Sequence, residues 1–321
     1  MSRSQLPTLK QLRYFVALEE HRHFGRAAEA CFVSQSAFSV AIRELEALLA
    51  LQLVDRTRKQ VTITAIGREI AVQARLCLRD VEALLELARH QREPLAGRVN
   101  LGVIPTIAPF LLPAFMPALQ ARYPRLQLYL REDITARLLE SLLQGELDLV
   151  LIALPYEVRH AEVMILFRDP FRLACREGTM RVDPEHYSFN RVQQESVLLL
   201  EDGHCLRDHA LAACRIRQQE KLSRFAASSL LTLVQMVDAD LGITYLPAMA
   251  EGSPLLANTR VRTYPLEPGA YREIGLVWRR GSARGQEFRQ LGELILSRRP
   301  RHAPDQRWSG PEGAGSPDPA A

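Results

Sequence analysis

The chain has 321 residues, 47% of them hydrophobic and 24% charged, with 41 Lys and Arg against 37 Asp and Glu for a formal net charge of +4. That length suits two or three packed domains, each with its own core. No apolar run approaches the roughly 18–20 residues of a membrane-spanning helix, and the start MSRSQLPTLKQLRY lacks the apolar core of a signal peptide. The expected setting is therefore the cytoplasm, with no membrane partner. Five cysteines, Cys31, Cys77, Cys175, Cys205 and Cys214, make an odd number without framework spacing, which argues against a permanent disulfide scaffold. The mild basic excess favours polyanionic partners.

Residues 8–64 read as a small helical unit. Thr8 caps a helix whose apolar face is Leu9, Leu12, Phe15, Val16 and Leu18, and a short helix follows in GRAAEACF. Ser34 caps a third, SQSAFSVAIRELEALLA, with Phe38, Ile42, Leu45 and Leu49 facing inward. Two short helices joined by a tight turn, the second polar at its N-terminus, form the helix-turn-helix pattern that reads the DNA major groove. LVDRTRKQVTIT then predicts a wing of two short strands and a charged turn.

Residues 65–93 predict one long helix. Ile66, Ile70, Ala74, Cys77, Val81, Leu84 and Ala88 approximate a heptad seam, the kind of stripe that a second copy of the chain covers. REPLAG breaks it as a hinge. From residue 97 to 298, strands and helices alternate: RVNLGVI, PFLLPAFMPALQARYP, LQLYLRE, ITARLLESLLQG, LDLVLIA, then VLLL, GITYLP, EIGLVW and a last helix in QEFRQLGELILSRR. The alternation predicts a mainly parallel sheet with covering helices, in two lobes with hinges at ALPYE and PLEPGAYRE. Residues 299–321, rich in Pro, Gly and Ala, read as a disordered tail.

The segments LRYFVALEEHRHFGRAAEACFVSQSAFSVAIRELE and LVDRTRKQVTITAIG resemble the N-terminal signature of the LysR-type transcriptional regulators. The resemblance implies a winged helix-turn-helix, a long dimerising linker helix and a periplasmic-binding-protein-like α/β regulatory domain of two lobes. Double-stranded DNA is then the expected partner. Gln35, Ser36, Ser39, Val40 and Arg43 are the recognition-helix residues not facing inward. Arg43, Arg56, Arg58 and Lys59 suit phosphates, Gln35 suits adenine, and Ser39 suits base or phosphate. Ser36 stands where many relatives have Pro, Val40 and Ala41 where they have polar or basic residues, and Ala50 where the usual residue is Gly. Methyl contacts and DNA shape then carry more of the recognition.

LLLEDGHCLRDHALAAC, Leu198–Cys214, holds two cysteines nine residues apart beside two histidines. As a zinc site, His204, Cys205, His209 and Cys214 lack paired ligand spacing, and adjacent His204 and Cys205 are poor joint ligands, so no metal or other cofactor is expected. Plain buried thiols are the simpler reading for Cys31, Cys77 and Cys175. For Cys205, a helix start and the nearby cations Arg207 and His209 favour thiolate, which makes it a candidate low-pKa nucleophile. If the stretch is helical, nine residues rise about 13–14 Å and put the sulfurs on opposite faces. A disulfide needs Cα atoms about 4.4–6.8 Å apart, so the pair bonds only if the segment refolds.

LEDGHCLRD with a second Cys nine residues on, LGVIPTIAPFLLP and GITYLPA resemble the peroxide-sensing branch of the LysR-type regulators. The resemblance implies that Cys205 reacts with hydrogen peroxide to a sulfenic acid and that Cys214 resolves it as a reversible disulfide. It also implies that Thr106, Thr135, His204 and Asp208 hold the peroxide, with Arg207 and Arg272 as electrostatic neighbours. Further expectations are a homodimer or homotetramer, RNA polymerase as partner, antioxidant genes as targets, and glutaredoxin or thioredoxin as reductant. His209 stands where relatives often have Gln, and Ala226 where an Arg is common. Two other readings stay open: a regulator that senses a small metabolite between the lobes, and a thiol peroxidase. The resemblance otherwise implies a regulator, not an enzyme.

Overall fold

The computed structural model describes residues 6–57, 60–90, 95–214, 219–267 and 269–299. Helix α1, Leu9–His21, opens with a reciprocal cap: Thr8 Oγ1 accepts from the Gln11 amide at 3.2 Å, and Gln11 Oε1 accepts from the Thr8 amide at 3.0 Å. Helix α2, Phe24–Ala30, starts one residue before the expected GRAAEACF because His23 is its cap, with Nδ1 accepting from the Arg26 amide. Ser34 Oγ caps α3, Gln35–Leu49. Phe15, Leu18, Phe38, Ile42 and Leu45 form the buried centre of this unit, with Tyr14 stacked on Phe38.

Strands β1, Val54–Thr57, and β2, Gln60–Ile63, pair antiparallel as the expected wing. Glu46 ties it to α3, its Oε1 accepting from the amides of Leu53 and Val54 at 2.9 and 3.1 Å. Arg58 and Lys59 lie outside the described residues. At the end of α3, Ala50 adopts φ +53°, the left-handed cap that Gly adopts without strain.

Helix α4, Ala65–His90, is the long helix, and its apolar stripe divides. Ala71 and Ala74 are buried on the helix-turn-helix core, and Ile70 and Leu78 pack against it. Ile66, Cys77 and Leu84 stay exposed, so Cys77 is not the plain buried thiol expected of a lone cysteine. Gly67 permits the joint with the wing, since a Cβ there would lie 2.4 Å from the Leu53 carbonyl oxygen. Arg75 pairs with Glu19 of α1, and one turn later Arg79 Nη1 meets Asp148 Oδ1 of the following domain at 2.8 Å. Residues 92–94, the first half of the REPLAG hinge, and all but Arg299 of the expected tail lie outside the described residues.

The remaining chain forms two lobes. The first holds β3, Gly97–Val103; α5, Ala108–Arg122; β4, Leu126–Glu132; α6, Thr135–Leu143; β5, Leu149–Leu154; β11, Tyr271–Arg279; and α9, Gly285–Ser297. The second holds β7, Val197–Leu200; α7, Cys205–Ala213; β8, Leu222–Ala227; α8, Leu230–Asp238; β9, Thr244–Pro247; and β10, Val261–Pro265. Each has its own apolar cluster, around Leu101, Leu151 and Trp278 in the first and Leu173, Leu198 and Val234 in the second.

One strand belongs to both lobes. β6, Ala161–Arg176, pairs with β11 over its first ten residues and with β9 and β10 from Phe171 onward. The expected mainly parallel sheet is thus mixed: β4, β3 and β5 are mutually parallel, while β11 enters antiparallel between β5 and β6. One lobe crossing is the PLEPGAYRE connection, as expected; the other lies inside β6 and not at ALPYE, which joins β5 to β6 within the first lobe. Among the described residues no helix is long and apolar enough to cross a membrane.

A non-glycine residue in the left-handed region costs about 1–2 kcal/mol, and the extra unfolded-state freedom of Gly offsets about 0.4–1 kcal/mol of the relief. Ala50 is exposed, so Ala50→Gly is expected to stabilise the helix-turn-helix by about 0.5–1 kcal/mol in urea denaturation. A loss of stability would mean that the Ala50 methyl makes a contact worth more than the strain.

Candidate functional site

The site forms where three segments of the first lobe meet α7 of the second. Gly203, at φ +96°, turns the chain out of β7 so that Cys205 becomes the first residue of α7. Cys205 is buried and belongs to the apolar cluster of the first lobe, whereas its helix neighbours Leu206 and Ala210 belong to that of the second. The helix therefore spans the lobe boundary, with its thiol inserted across it.

Facing it, Arg272 of β11 is fully enclosed. Its Nε donates to Asp169 Oδ2 at 3.0 Å, Nη1 to Thr106 Oγ1 at 2.8 Å, and Nη2 to the Thr106 carbonyl at 2.8 Å, with Met249 Sδ 3.6 Å away. Asp169 Oδ1 accepts from the Met249 amide at 3.1 Å. Burial pushes the Asp169 carboxyl up, and Arg272 and the Met249 amide oppose that push. Thr106 follows β3 and Asp169 sits at the crossing point of β6. Met249 lies in the short helical turn Ala248–Ala250 after β9, so this one cluster joins both lobes.

Thr135 is the first residue of α6, one place past the cap position, and its buried Oγ1 has no hydrogen-bond partner of ordinary geometry among the described residues. It faces Cys205. Burial raises the Cys205 thiol above its ordinary range; the Thr135 hydroxyl and the Arg272 charge favour the thiolate, and Asp208 disfavours it. The expected lowering is thus reversed, because a helix start and cations were weighed without the desolvation of a buried sulfur. Arg207 does not serve as the cation: its Nε pairs with Asp202 at 3.0 Å and its Nη1 reaches the Leu200 carbonyl.

The other expected pocket residues divide. Thr106, Thr135 and Arg272 converge on Cys205. Asp208 is exposed on the first turn of α7 and acts on the thiol through charge alone, and His204 is half-buried at the helix cap. Asp169 and Met249 are not singled out from sequence, and His209, one turn after Cys205, is weighed there only as a nearby cation and as a metal ligand. For the last the signal was present, because Cys205 and His209 stand four apart in a stretch that reads as helix.

Cys214 is the C-terminal cap of α7 and packs half-buried in the second lobe, where burial pushes its thiol up to about 12. Both cysteines are free. With α7 intact, nine residues of rise keep them about 13–14 Å apart along the axis. Among the described residues, no group of three or more His, Cys, Asp or Glu side chains is placed to hold a metal ion.

At the DNA end, Gln35, Ser36, Val40 and Arg43 are exposed along one side of α3 and Ser39 is half-buried. Ser36 Oγ lies 3.1 Å from the cap oxygen of Ser34. Arg56 lies in β1 opposite Val61.

A winged helix-turn-helix joined by one long helix to a two-lobed α/β domain defines a transcriptional regulator with a built-in sensor domain. Residues 9–68 match the bacterial regulatory helix-turn-helix protein family of lysR type, and residues 92–300 match the LysR substrate binding domain. The chain belongs to the LysR family of transcriptional regulators. It is 39% identical over 291 residues to the HTH-type transcriptional regulator EstR of Acinetobacter baylyi, covering 90% of this chain and 96% of that one. It is 41% identical over 297 residues to the hydrogen peroxide-inducible genes activator of Escherichia coli O6:H1, covering 92% and 96%. Among solved structures, a cysteine-to-aspartate variant of full-length OxyR from Pseudomonas aeruginosa superposes with a TM-score of 0.76 at 32% identity, over 94% of this chain and 99% of that one.

Removing one partner of a buried ion pair leaves the other charge uncompensated and typically costs about 3–5 kcal/mol. Asp169→Ala is therefore expected to destabilise the sensor domain by about that amount in denaturant unfolding. A cost below about 1 kcal/mol, the range of an exposed pair, would show that Arg272 finds another counter-charge.

Proposed function

We propose that this regulator senses hydrogen peroxide through Cys205 and switches by forming a disulfide with Cys214. One observation carries the reading: the buried Cys205 thiol faces a buried hydroxyl, Thr135 Oγ1, that has no hydrogen-bond partner of ordinary geometry among the described residues. An unmade buried hydrogen bond costs about 1–3 kcal/mol, so it is retained where a small polar molecule completes it. Thr106 adds a second donor. Its Oγ1 accepts from Arg272, which leaves its own proton free to point into the same space. The name of the Escherichia coli relative agrees with this choice of signal.

The chemistry follows from the groups present. Cys205, as thiolate, attacks one peroxide oxygen; the S–O bond forms as the O–O bond breaks. The leaving hydroxide is held by the Thr135 and Thr106 hydroxyls and takes up the proton the thiol gave, leaving as water. Cys205 is now a sulfenic acid. The Cys214 sulfur then attacks it, the S–O bond breaks, and a second water leaves, so that one peroxide and two thiols give one disulfide and two waters.

Closing about 13–14 Å to disulfide distance requires α7 to unwind, which withdraws Cys205 from the first lobe and reshapes the surface between lobes. In a dimer or tetramer joined through the exposed part of the α4 stripe, that change moves the DNA-reading helices relative to one another and alters contact with RNA polymerase. A dithiol reductase of the glutaredoxin or thioredoxin class resets the switch in the cytoplasm. The protein consumes one peroxide per reset and is a sensor, not a peroxidase. DNA is held through Arg43, Arg56, Arg58 and Lys59 at phosphates and read by Gln35, Ser36, Ser39 and Val40. Asp208 acts on the thiol through its charge, while His204 caps α7 and Arg207 is held by Asp202 beside it.

About one equivalent of peroxide added to reduced protein is expected to remove two thiols, mapped by peptide digestion to Cys205 and Cys214, and Cys205→Ser is expected to abolish the loss. Because burial holds the thiol protonated, the rate should rise about tenfold per pH unit through neutrality, in step with the thiolate fraction. Induction that survives Cys205→Ser would point to a metabolite ligand, and sustained turnover after deletion of residues 1–64 would point to a peroxidase.

Arg43→Ala is expected to weaken operator binding and lower the slope of log affinity against log salt by about one. An unchanged slope would remove Arg43 from the phosphate contacts.

A further inference from the structure

α7 meets the first lobe with two buried side chains four residues apart on one face, Cys205 and His209. His209 Nε2 lies 2.9 Å from the carbonyl oxygen of Pro155, in the loop that follows β5. A carbonyl only accepts, so Nε2 carries the proton and donates. Nδ1 is then a bare acceptor, and it is buried without a partner among the described residues. A single bond that runs from α7 to the first lobe holds the ring in one tautomer.

We infer that His209 is a positioning residue: its bond to the Pro155 carbonyl pins α7 across the lobe boundary, seats Cys205 beside Thr135, and must break before α7 can unwind toward Cys214. The inference deepens the peroxide-switch reading and rests on it for its functional meaning, though the pin itself is a property of the reduced protein.

The pin has a pH dependence. The groups around the ring are Arg272 from β11, Asp208 from its own helix, Cys205 one turn back and the Pro155 carbonyl from the loop. Burial pushes the His209 pKa down, the Pro155 carbonyl opposes, Arg272 lowers it further and Asp208 opposes. Protonation would place a second cation near buried Arg272 and add a donor at Nδ1 with no acceptor. In unwound α7 the ring is solvated, with the ordinary histidine value of about 6.5. The unwound form thus binds the proton more readily. The pinned form keeps its full advantage above about pH 6.5 and loses it as pH falls below that.

The test uses reduced full-length protein and hydrogen exchange of the α7 amides, corrected for intrinsic rates, at pH 7.5 and 5.5. Wild-type protection is expected to fall on acidification by up to about tenfold, the limit set by one pH unit below the solvated histidine value. His209→Gln keeps a donor for Pro155 but does not titrate, so it should hold near-wild-type protection at both pH values. His209→Ala should lose at least tenfold at both, and peroxide should then convert its sulfenic acid to disulfide faster than in wild type. Equal acid sensitivity in wild type and His209→Gln, or wild-type protection in His209→Ala at pH 7.5, would overturn the pin. If His209→Ala does not fold, the comparison of wild type with His209→Gln decides alone. Failure of wild type to form the disulfide would sink the peroxide reading while leaving the exchange result to judge the pin.

Discussion

The buried pair of Arg272 and Asp169 is the constraint around which the sensor domain is arranged. Taking two charges out of water costs several kcal/mol each, and that cost is offset only where the remaining donors and acceptors are also met. Here most of them are. Arg272 reaches Asp169, both oxygens of Thr106 and the Met249 sulfur, while Asp169 also takes the Met249 amide. Because these partners come from β6, the loop after β3 and the turn after β9, satisfying the one guanidinium on β11 fixes where the two lobes touch. It also places a positive charge near Cys205.

α7 answers this rigidity with the opposite property. Nine residues make a helix too short to stand on its own propensity, since isolated helices under about 12–15 residues are marginal in water. Its cap, His204, contributes no side-chain hydrogen bond. What holds it is burial of Cys205, Leu206, His209 and Ala210, divided between two apolar clusters, together with the bond to Pro155. In the proposed switch, oxidising Cys205 adds an oxygen where only the thiol was accommodated, which weakens the first of these holds. A rigid charged pivot and a weakly held helix are complementary parts of one device.

Much of this was legible in the residues. Helices α1 and α3 announced themselves through caps and through Phe38, Ile42 and Leu45 at helical spacing, and the strands of the first lobe through continuous apolar runs such as LDLVLIA. β6 was not legible. Its centre, RDPFR, interrupts the apolar run with a charge and a proline, features that in an isolated reading argue against an interior strand. Both have a tertiary cause: Pro170 sits at the lobe crossing and Asp169 meets Arg272, 103 positions away. The direction of the Cys205 shift failed for a related reason. Neighbours in sequence supply charges that can be counted, but desolvation depends on segments that the fold brings from elsewhere, and Arg207 is claimed by Asp202 before it can reach the sulfur. His209 could be drawn among metal ligands by composition, yet only its bond to Pro155 shows what the ring does.

The same strand that carries the pin also reaches the linker helix. Pro155 follows directly on β5, whose six buried residues lie between β3 and β11 in the middle of the sheet. At its other end, about 20 Å away at strand rise, the residue before β5 is Asp148. There Oδ1 takes Arg79 of α4 at 2.8 Å and Oδ2 takes the Asn100 amide at 2.7 Å. One helical turn back, Arg75 of α4 pairs with Glu19 of α1. Half-buried ion pairs of this kind are modest in energy but strict in geometry, and a central strand does not stretch. Were α7 to let go, as the proposed switch requires, a shift at Pro155 would reach Asp148 along β5, and Asp148 pairs with Arg79 of the helix that also packs against the helix-turn-helix. Physical continuity is not by itself coupling, but here it joins the helix of the proposed switch to the helix that carries the DNA-reading unit.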